Sequence, residues 1–250
     1  MGYLVQAASA DDVCLVFGAG SEIALAIVRK LASVGFRFIF VNRSPIEAEK
    51  HGLPPGTIVA TYYGVDYTDA QAAAGQLRNV ISESTFTHML VCQGVMHGSP
   101  YKDSDIVDMY MCNLVSIALI LETLLRTQVR PREVIVVGSI AGDRGKEKNP
   151  VYDSSKAGLE VLSQGYRQRL AHRNTKLLFV KPGNVSTRMT KDKFTNWTFA
   201  PPERIAADIY RAMNRGGGVL YTPRLWRVVM FVVRMLPEAW FVRMGLGRAN

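Results

Sequence analysis

Residues 13–24 read Val13-Cys14-Leu15-Val16-Phe17-Gly18-Ala19-Gly20-Ser21-Glu22-Ile23-Ala24, and the reading of this stretch decides the fold. Five successive apolar residues, Val13–Phe17, fit a strand buried on both faces, as in a parallel sheet. Two glycines then mark a tight turn. From Ser21 to Ser33 the apolar residues recur at helical spacing. Strand, glycine turn and helix in succession make the first half of a βαβ unit. Such a turn lets the backbone approach a ligand closely, and the helix N-terminus behind it offers free N–H groups and partial positive charge to a pyrophosphate. Gly18, Gly20, Ser21 and Ile23 are therefore candidate dinucleotide contacts. A purely structural turn is the other reading, because Glu22 and Ala24 stand where the later glycines of a dinucleotide turn usually fall.

Outward from this unit the pattern repeats. Strands are predicted at Phe36–Val41, Ile58–Tyr63, Thr87–Cys92, Glu133–Gly138, Lys176–Val180 and Val219–Tyr221. Helices are predicted at Asp69–Ser82, Asp105–Arg126, Val151–Ala171 and Pro202–Met213. The Pro- and Gly-containing segment from Ser44 to Gly56 leaves little room for a full helix. The sum is an α/β chain, a Rossmann-type doubly wound parallel sheet in three layers, with right-handed crossovers. Residues 1–222 read as one catalytic domain and 223–250 as an amphipathic helical tail.

The composition of the 250 residues, 48% hydrophobic and 20% charged, excludes a disordered or collagenous chain. The net charge of +9 is unevenly placed. Residues 1–150 hold 13 basic and 15 acidic side chains, whereas residues 151–250 hold 17 basic and 6 acidic ones. That asymmetry points to an anionic partner: nucleic acid, a membrane surface or a phosphorylated substrate. Nucleic acid is set aside, since no Lys-rich run, zinc motif or basic helix with interleaved aromatics is present. Cys14, Cys92 and Cys112 lie in apolar surroundings without metal-ligand spacing, so no metal site is expected. They read as buried reduced thiols, which suits a cytoplasmic chain. No signal peptide is read at the N-terminus, and the six-residue run Val228–Val233 is too short to span a bilayer.

Three further positions carry chemistry. The second strand runs into Asn42-Arg43-Ser44. An acid there would hold the adenosine ribose of NAD, whereas the guanidinium of Arg43 matches a 2′-phosphate, so NADP is expected over NAD. A solvated loop arginine is the alternative. Asp66 would accept from the adenine amine, or cap the following helix. Ser139 follows a buried strand, and Tyr152 and Lys156 project at i, i+4 from one helix face. A lysine ammonium beside a phenol favours phenolate and lowers the tyrosine pKa. Ser139 could then donate to a substrate carbonyl while Tyr152 supplies a proton.

With these motifs in order from Gly18 to Thr187, the chain resembles the short-chain dehydrogenase/reductase family. The resemblance implies that Ser139, Tyr152 and Lys156 are catalytic. It makes Asn113, in Met111-Cys112-Asn113-Leu114, the fourth member, holding a water for proton relay. It also implies cofactor contacts from Tyr152 and Lys156, from Gly94 in Val91-Cys92-Gln93-Gly94, and from Lys181-Pro182-Gly183-Asn184-Val185-Ser186-Thr187. In that last segment Pro182 and Gly183 form the family's Pro-Gly step, and Val185 and Thr187 would hold the nicotinamide carboxamide. The Gln93 pattern departs from the family's usual Asn-Asn-Ala-Gly. The resemblance further implies a homodimer or homotetramer. Ala141-Gly142-Asp143-Arg144, Thr187-Arg188-Met189 and the tail Trp226–Met230 resemble one branch more closely. That branch contains the bacterial decaprenylphosphoryl-2-keto-ribose reductases, and it implies a small-molecule keto-sugar substrate, free or lipid-linked.

The tail itself holds Arg224, Arg227, Arg234, Arg243 and Arg248 against Glu238. The first three fall on one helical face, with Leu225, Val228, Val229, Val232 and Met235 around the other sides, and Pro237 ends or kinks the helix. Such a helix, followed by Trp240, Phe241 and Met244, can lie in an anionic membrane surface, a peripheral place at the inner face of the membrane. Packing on its own domain or across a dimer interface is the alternative. The expected activity is NAD(P)H-dependent carbonyl reduction. A catalytically idle dinucleotide-binding or membrane-scaffold protein is the competing reading.

Overall fold

The structure is a computed structural model and describes residues 12–42, 52–65, 67, 69–190, 198–213 and 215–244. Seven strands are described: β1 (Val13–Phe17), β2 (Arg37–Asn42), β3 (Ile58–Tyr63), β4 (His88–Val91), β5 (Glu133–Val137), β6 (Lys176–Pro182) and β7 (Gly218–Thr222). They form one sheet in the order β3-β2-β1-β4-β5-β6-β7. Every neighbouring pair is parallel. The helices are α1 (Glu22–Ala32), α2 (Ala70–Glu83), α3 (Asp103–Tyr110), α4 (Ser116–Arg126), α5 (Pro150–Ala171), α6 (Pro202–Ala212), α7 (Leu225–Met235) and α8 (Glu238–Arg243).

The pleat sorts β1 between two cores. Cys14 and Val16 face the layer of α1 and α6, with Ile27, Leu31, Ile205 and Ile209. Val13, Leu15 and Phe17 face the layer of α2, α4 and α5, with Leu77, Ile117, Leu121 and Leu159. Successive side chains on a strand point to opposite faces, so an unbroken apolar run is what a strand between two helical layers requires. This is the doubly wound, three-layer arrangement read from the sequence. The strand order reverses between β1 and β4, where the ends Phe17 and Val91 pair in register. A crevice opens at such a point beyond the carboxyl ends of the strands.

Several boundaries shift for local reasons. Ser21 is the N-cap residue, so α1 starts at Glu22. Asp69 caps α2, its Oδ1 accepting from the backbone N–H groups of Gln71 and Ala72 at 3.0 Å each. β6 continues past Val180 to Pro182 because its ladder with β7 extends through Lys181↔Tyr221 and Pro182↔Thr222. The long third helix starts at Asp103 and is widened by a π turn, Met111–Val115. Among the described residues, the stretch Asp103–Arg126 is long and apolar enough to cross a bilayer. It is nonetheless a core helix, since Ile117, Ile120, Leu121 and Leu124 are fully buried against the sheet. Of the three thiols, Cys14 and Cys92 are buried as expected, while Cys112 is only half-buried.

His88 on β4 is buried, with Nδ1 2.9 Å from Thr87 Oγ1 and its ring edge-on to Phe36. Burial lowers its pKa from 6.5 to about 4; Asp12 pulls against that and Arg132 adds to it. The folded pKa lies below the unfolded one, so the neutral ring stabilises the fold above pH 6.5 and that stability drains away as pH falls to about 4. At about 1.4 kcal/mol per pKa unit, the loss is about 3 kcal/mol. The difference in urea-unfolding free energy between the wild-type chain and His88→Gln should therefore shrink by that amount from above pH 6.5 to pH 4. A constant difference would count against a buried neutral imidazole.

Candidate active site

The turn after β1 sits against the loop after β4. Gly18 has φ +77°, and a Cβ there would lie 2.7 Å from the Gln93 backbone. Only glycine combines that backbone conformation with that approach. The turn is fixed from β2 as well: Gly18 N–H donates to Val41 O at 3.2 Å, and Ala19 N–H donates to Asn42 Oδ1 at 2.8 Å. Ser21 Oγ accepts from Cys92 Sγ at 3.8 Å, and Ile23 packs at the edge of the core. A Cβ on Gly20 would meet only open space. Asn42 Nδ2 is buried and has no hydrogen-bond partner among the described residues. An open glycine turn at a helix N-terminus, beside an unused amide donor, fits the phosphates and ribose of a dinucleotide. Arg43 and Asp66 lie outside the described residues.

Four of the chemistry-bearing residues converge beyond β4 and β5. Asn113, in the π turn, is fully buried. Its Oδ1 accepts from Val95 N–H at 2.8 Å. Both amide hydrogens are used, one toward Val95 O at 2.9 Å and one toward Ser155 Oγ at 3.1 Å. The side chain thus fastens the loop after β4 to α5, leaving one Oδ1 lone pair for a water. Gly94 passes tightly beside it: a Cβ there would lie 3.0 Å from Lys156 Nζ and 3.1 Å from Asn113 Oδ1. Ser139 follows β5 by two residues and N-caps a short 3₁₀ turn, Ile140–Asp143, its Oγ accepting from Ala141 N–H at 3.0 Å. That turn presses onto α5, because a Cβ on Gly142 would lie 2.7 Å from the Lys156 carbonyl. Tyr152 and Lys156 therefore stand opposite Ser139, one helical turn apart.

The electrostatics differ from the sequence expectation. Burial pushes the Tyr152 phenol up to about 12; a hydrogen bond with Ser139 pulls it down and the Asp153 carboxylate pushes it up. The Lys156 ammonium lies 5.7 Å from the centre of the Tyr152 ring. Burial lowers its own pKa, opposed by Cys112 and Cys92. Desolvation of the phenol thus sets the direction, and the lowering expected from Lys156 is not among the influences on it. Tyr152 is a protonated donor through the neutral range.

The segment after β6 closes the other side. Gly183 N–H donates to Thr222 O at 2.9 Å, and the Trp226 indole occupies the space a Gly183 Cβ would need. Pro182 ends β6, and the buried Val185 bridges to Ala200. Thr187 N–H donates to Thr190 Oγ1 at 3.1 Å. Arg188 N–H donates to Glu22 Oε2 at 2.6 Å. Glu22, which replaces a glycine of the turn, therefore ties this segment to the start of α1.

Other residues around the site escaped the sequence reading. Asn42 was passed over for its neighbour Arg43. Lys181 is fully buried and bonds Asp143 and, at 2.6 Å, Glu160. Its one legible signal was a charge directly after the apolar run Leu177–Val180. Arg144, read as part of the branch motif at residues 141–144, is a clamp on the tail. Its Nη1 donates to Val233 O at 2.7 Å and Leu236 O at 2.5 Å, its Nη2 reaches Glu238 Oε2 at 2.7 Å, and its guanidinium stacks 4.1 Å from the Phe241 ring centre.

Comparison with known proteins supplies context for this geometry. The family model described as short chain dehydrogenase matches residues 12–197. An uncharacterised oxidoreductase of Mycobacterium tuberculosis is 35% identical over 130 residues, covering 52% of each chain, so the match spans about half the length of that curated relative. A human 3-oxoacyl-[acyl-carrier-protein] reductase is 27% identical over 194 residues, covering 73% of this chain and 79% of its own. Among solved structures, a short chain dehydrogenase from Burkholderia cenocepacia in complex with NADP has a TM-score of 0.75 at 14% identity. It covers 93% of this chain and 97% of its own, a likeness of fold.

Proposed function

The chain belongs to the short-chain dehydrogenase family, NAD(P)-dependent oxidoreductases acting between CH–OH and C=O, and from that premise we propose that it is a carbonyl reductase using NADPH. The observation that carries this reading is the pairing of Ser139 with Tyr152, and of Lys156 with Asn113 beside Gly94, beyond the carboxyl ends of β4 and β5. A nicotinamide cofactor, when bound, would supply hydride to the carbonyl carbon. Tyr152, protonated at neutral pH, gives its phenolic proton to the developing alkoxide. Ser139 donates a hydrogen bond to that oxygen and stabilises the charge. Lys156 stabilises the phenolate left on Tyr152 and is placed to hold ribose hydroxyls. Asn113 holds Gly94 and Val95 in place, and its remaining lone pair holds a water that resupplies the proton.

In this reading Gly18, Gly20, Ser21 and Ile23 receive the pyrophosphate, Asn42 and Arg43 the adenosine ribose and its 2′-phosphate, and Asp66 the adenine. Gly94, Pro182, Gly183, Val185 and Thr187 line the nicotinamide end. The substrate is a small-molecule ketone; the finer reading is a keto-sugar, free or lipid-linked, supported by the resemblance of residues 141–144 and 187–189 to that branch. Residues 1–222 form the catalytic domain of a cytoplasmic homodimer or homotetramer, and 223–250 a tail that brings it to an anionic membrane surface.

Initial rates with NADPH and NADH test the cofactor assignment. NADPH is expected to be preferred, and Arg43→Ala is expected to erode that preference by about 10- to 100-fold, the worth of a charge-assisted phosphate contact. A wild-type preference for NADH would overturn it.

A further inference from the structure

α7 lies on the domain by a narrow side and turns its broad apolar side outward. Met230 is buried, and Trp226 and Val233 are half-buried. At 100° per residue these three share one flank. The opposite flank carries Leu225, Val228, Phe231, Val232 and Met235, from 54% to 70% exposed. In α8, Trp240 is 65% exposed. The arginines do not form the outer face of α7. Arg227 and Arg234 follow one edge, and Arg234 leans to within 3.8 Å of the buried Asp143. Arg224 begins the helix and Arg243 ends α8.

We propose that this outward face of α7 and α8 seats on the surface of an anionic lipid bilayer. Exposed apolar side chains edged by arginines match acyl chains below and anionic headgroups alongside, with guanidinium groups reaching up to the phosphates. Charge selects lipid over a second copy of the chain. After Asp208 the sequence has seven arginines and a single acid, Glu238, which Arg144 already engages. Two such faces brought together about a two-fold axis would oppose arginine to arginine with no acid between them. The Arg144 clamp adds a consequence. It joins the end of α7 and the start of α8 to the turn that Ser139 begins, so a seated tail holds the active-site rim at a fixed place above the membrane. That consequence rests on the reductase reading, whereas the surface itself stands on the exposed residues and the charge.

Sedimentation of the full chain with vesicles tests it. Binding is expected to vesicles of mixed phosphatidylglycerol and phosphatidylcholine, to fall about tenfold or more on pure phosphatidylcholine, and to weaken with salt. The double variant Phe231→Glu, Val232→Glu changes only exposed side chains and should lose vesicle binding while keeping its melting curve and its turnover of a soluble ketone. Equal sedimentation of wild type on charged and neutral vesicles would overturn the proposal. So would a variant that still binds vesicles, or one whose only change is dissociation of a dimer. Vesicle binding without turnover of any ketone would support the surface and count against the reductase reading instead.

Discussion

Replacing Tyr152 with Phe is expected to lower the turnover of carbonyl substrates by about two to four orders of magnitude while leaving cofactor binding intact. The phenol, hydrogen-bonded to Ser139, carries its proton at neutral pH because burial holds its pKa at about 12. Phe keeps the buried ring and removes only the hydroxyl. The structural cost is one hydrogen bond to Ser139, about 1 kcal/mol, too little to unfold the chain. NADPH titration and thermal melting, run beside the steady-state assay, separate lost chemistry from lost fold. Near wild-type turnover would remove Tyr152 from the mechanism.

The second large effect concerns stability. The side chains of Lys181 and Asp143 are both fully buried, and Glu160, the Tyr221 hydroxyl and, 3.8 Å from Asp143, Arg234 lie around them. Burial alone would lower the Lys181 pKa, but the bonds to Asp143 and Glu160 outweigh it and raise it above the usual range. Lys181→Met keeps most of the volume and strips both carboxylates of their main counter-charge. Removing one partner of a buried pair costs about 3–5 kcal/mol. For a chain of this size that is a fall in melting temperature of about 10 °C. Asp143→Asn with Lys181→Met should recover part of the loss, because no buried carboxylate at 143 is then left without its nearest counter-charge. A single variant that melts with the wild type would show that the network contributes nothing to the fold.

The legible parts of this protein are those fixed by local pattern. Val13–Phe17 and Glu133–Val137 read as buried strands because each is a nearly unbroken apolar run, and Tyr152 with Lys156 reads as a pair because i, i+4 spacing puts both side chains on one helix face. What depends on contacts distant in sequence did not read out. Nothing near Asn113 announces a π turn, or that its amide bonds Val95 and Ser155, which are distant in sequence. The pKa of Tyr152 is governed by how deeply α5 is buried, which spacing does not encode, so the lysine effect was overestimated. The tail was legible as amphipathic, yet its orientation was not. Arg144, some ninety residues away, decides it by capturing the carbonyls of Val233 and Leu236. Arg43 and Asp66 remain sequence-based assignments.

The most direct test of the account follows the hydride itself. The wild-type chain is incubated with NADPH carrying deuterium at the transferable position of the nicotinamide ring, together with ketones and keto-sugars, and the alcohol products are read by mass spectrometry. The account predicts deuterium on the former carbonyl carbon of at least one product, and none when Tyr152→Phe is used. Tight NADPH binding with no deuterium transferred to any carbonyl in the panel would contradict it and leave a dinucleotide-binding protein without catalysis.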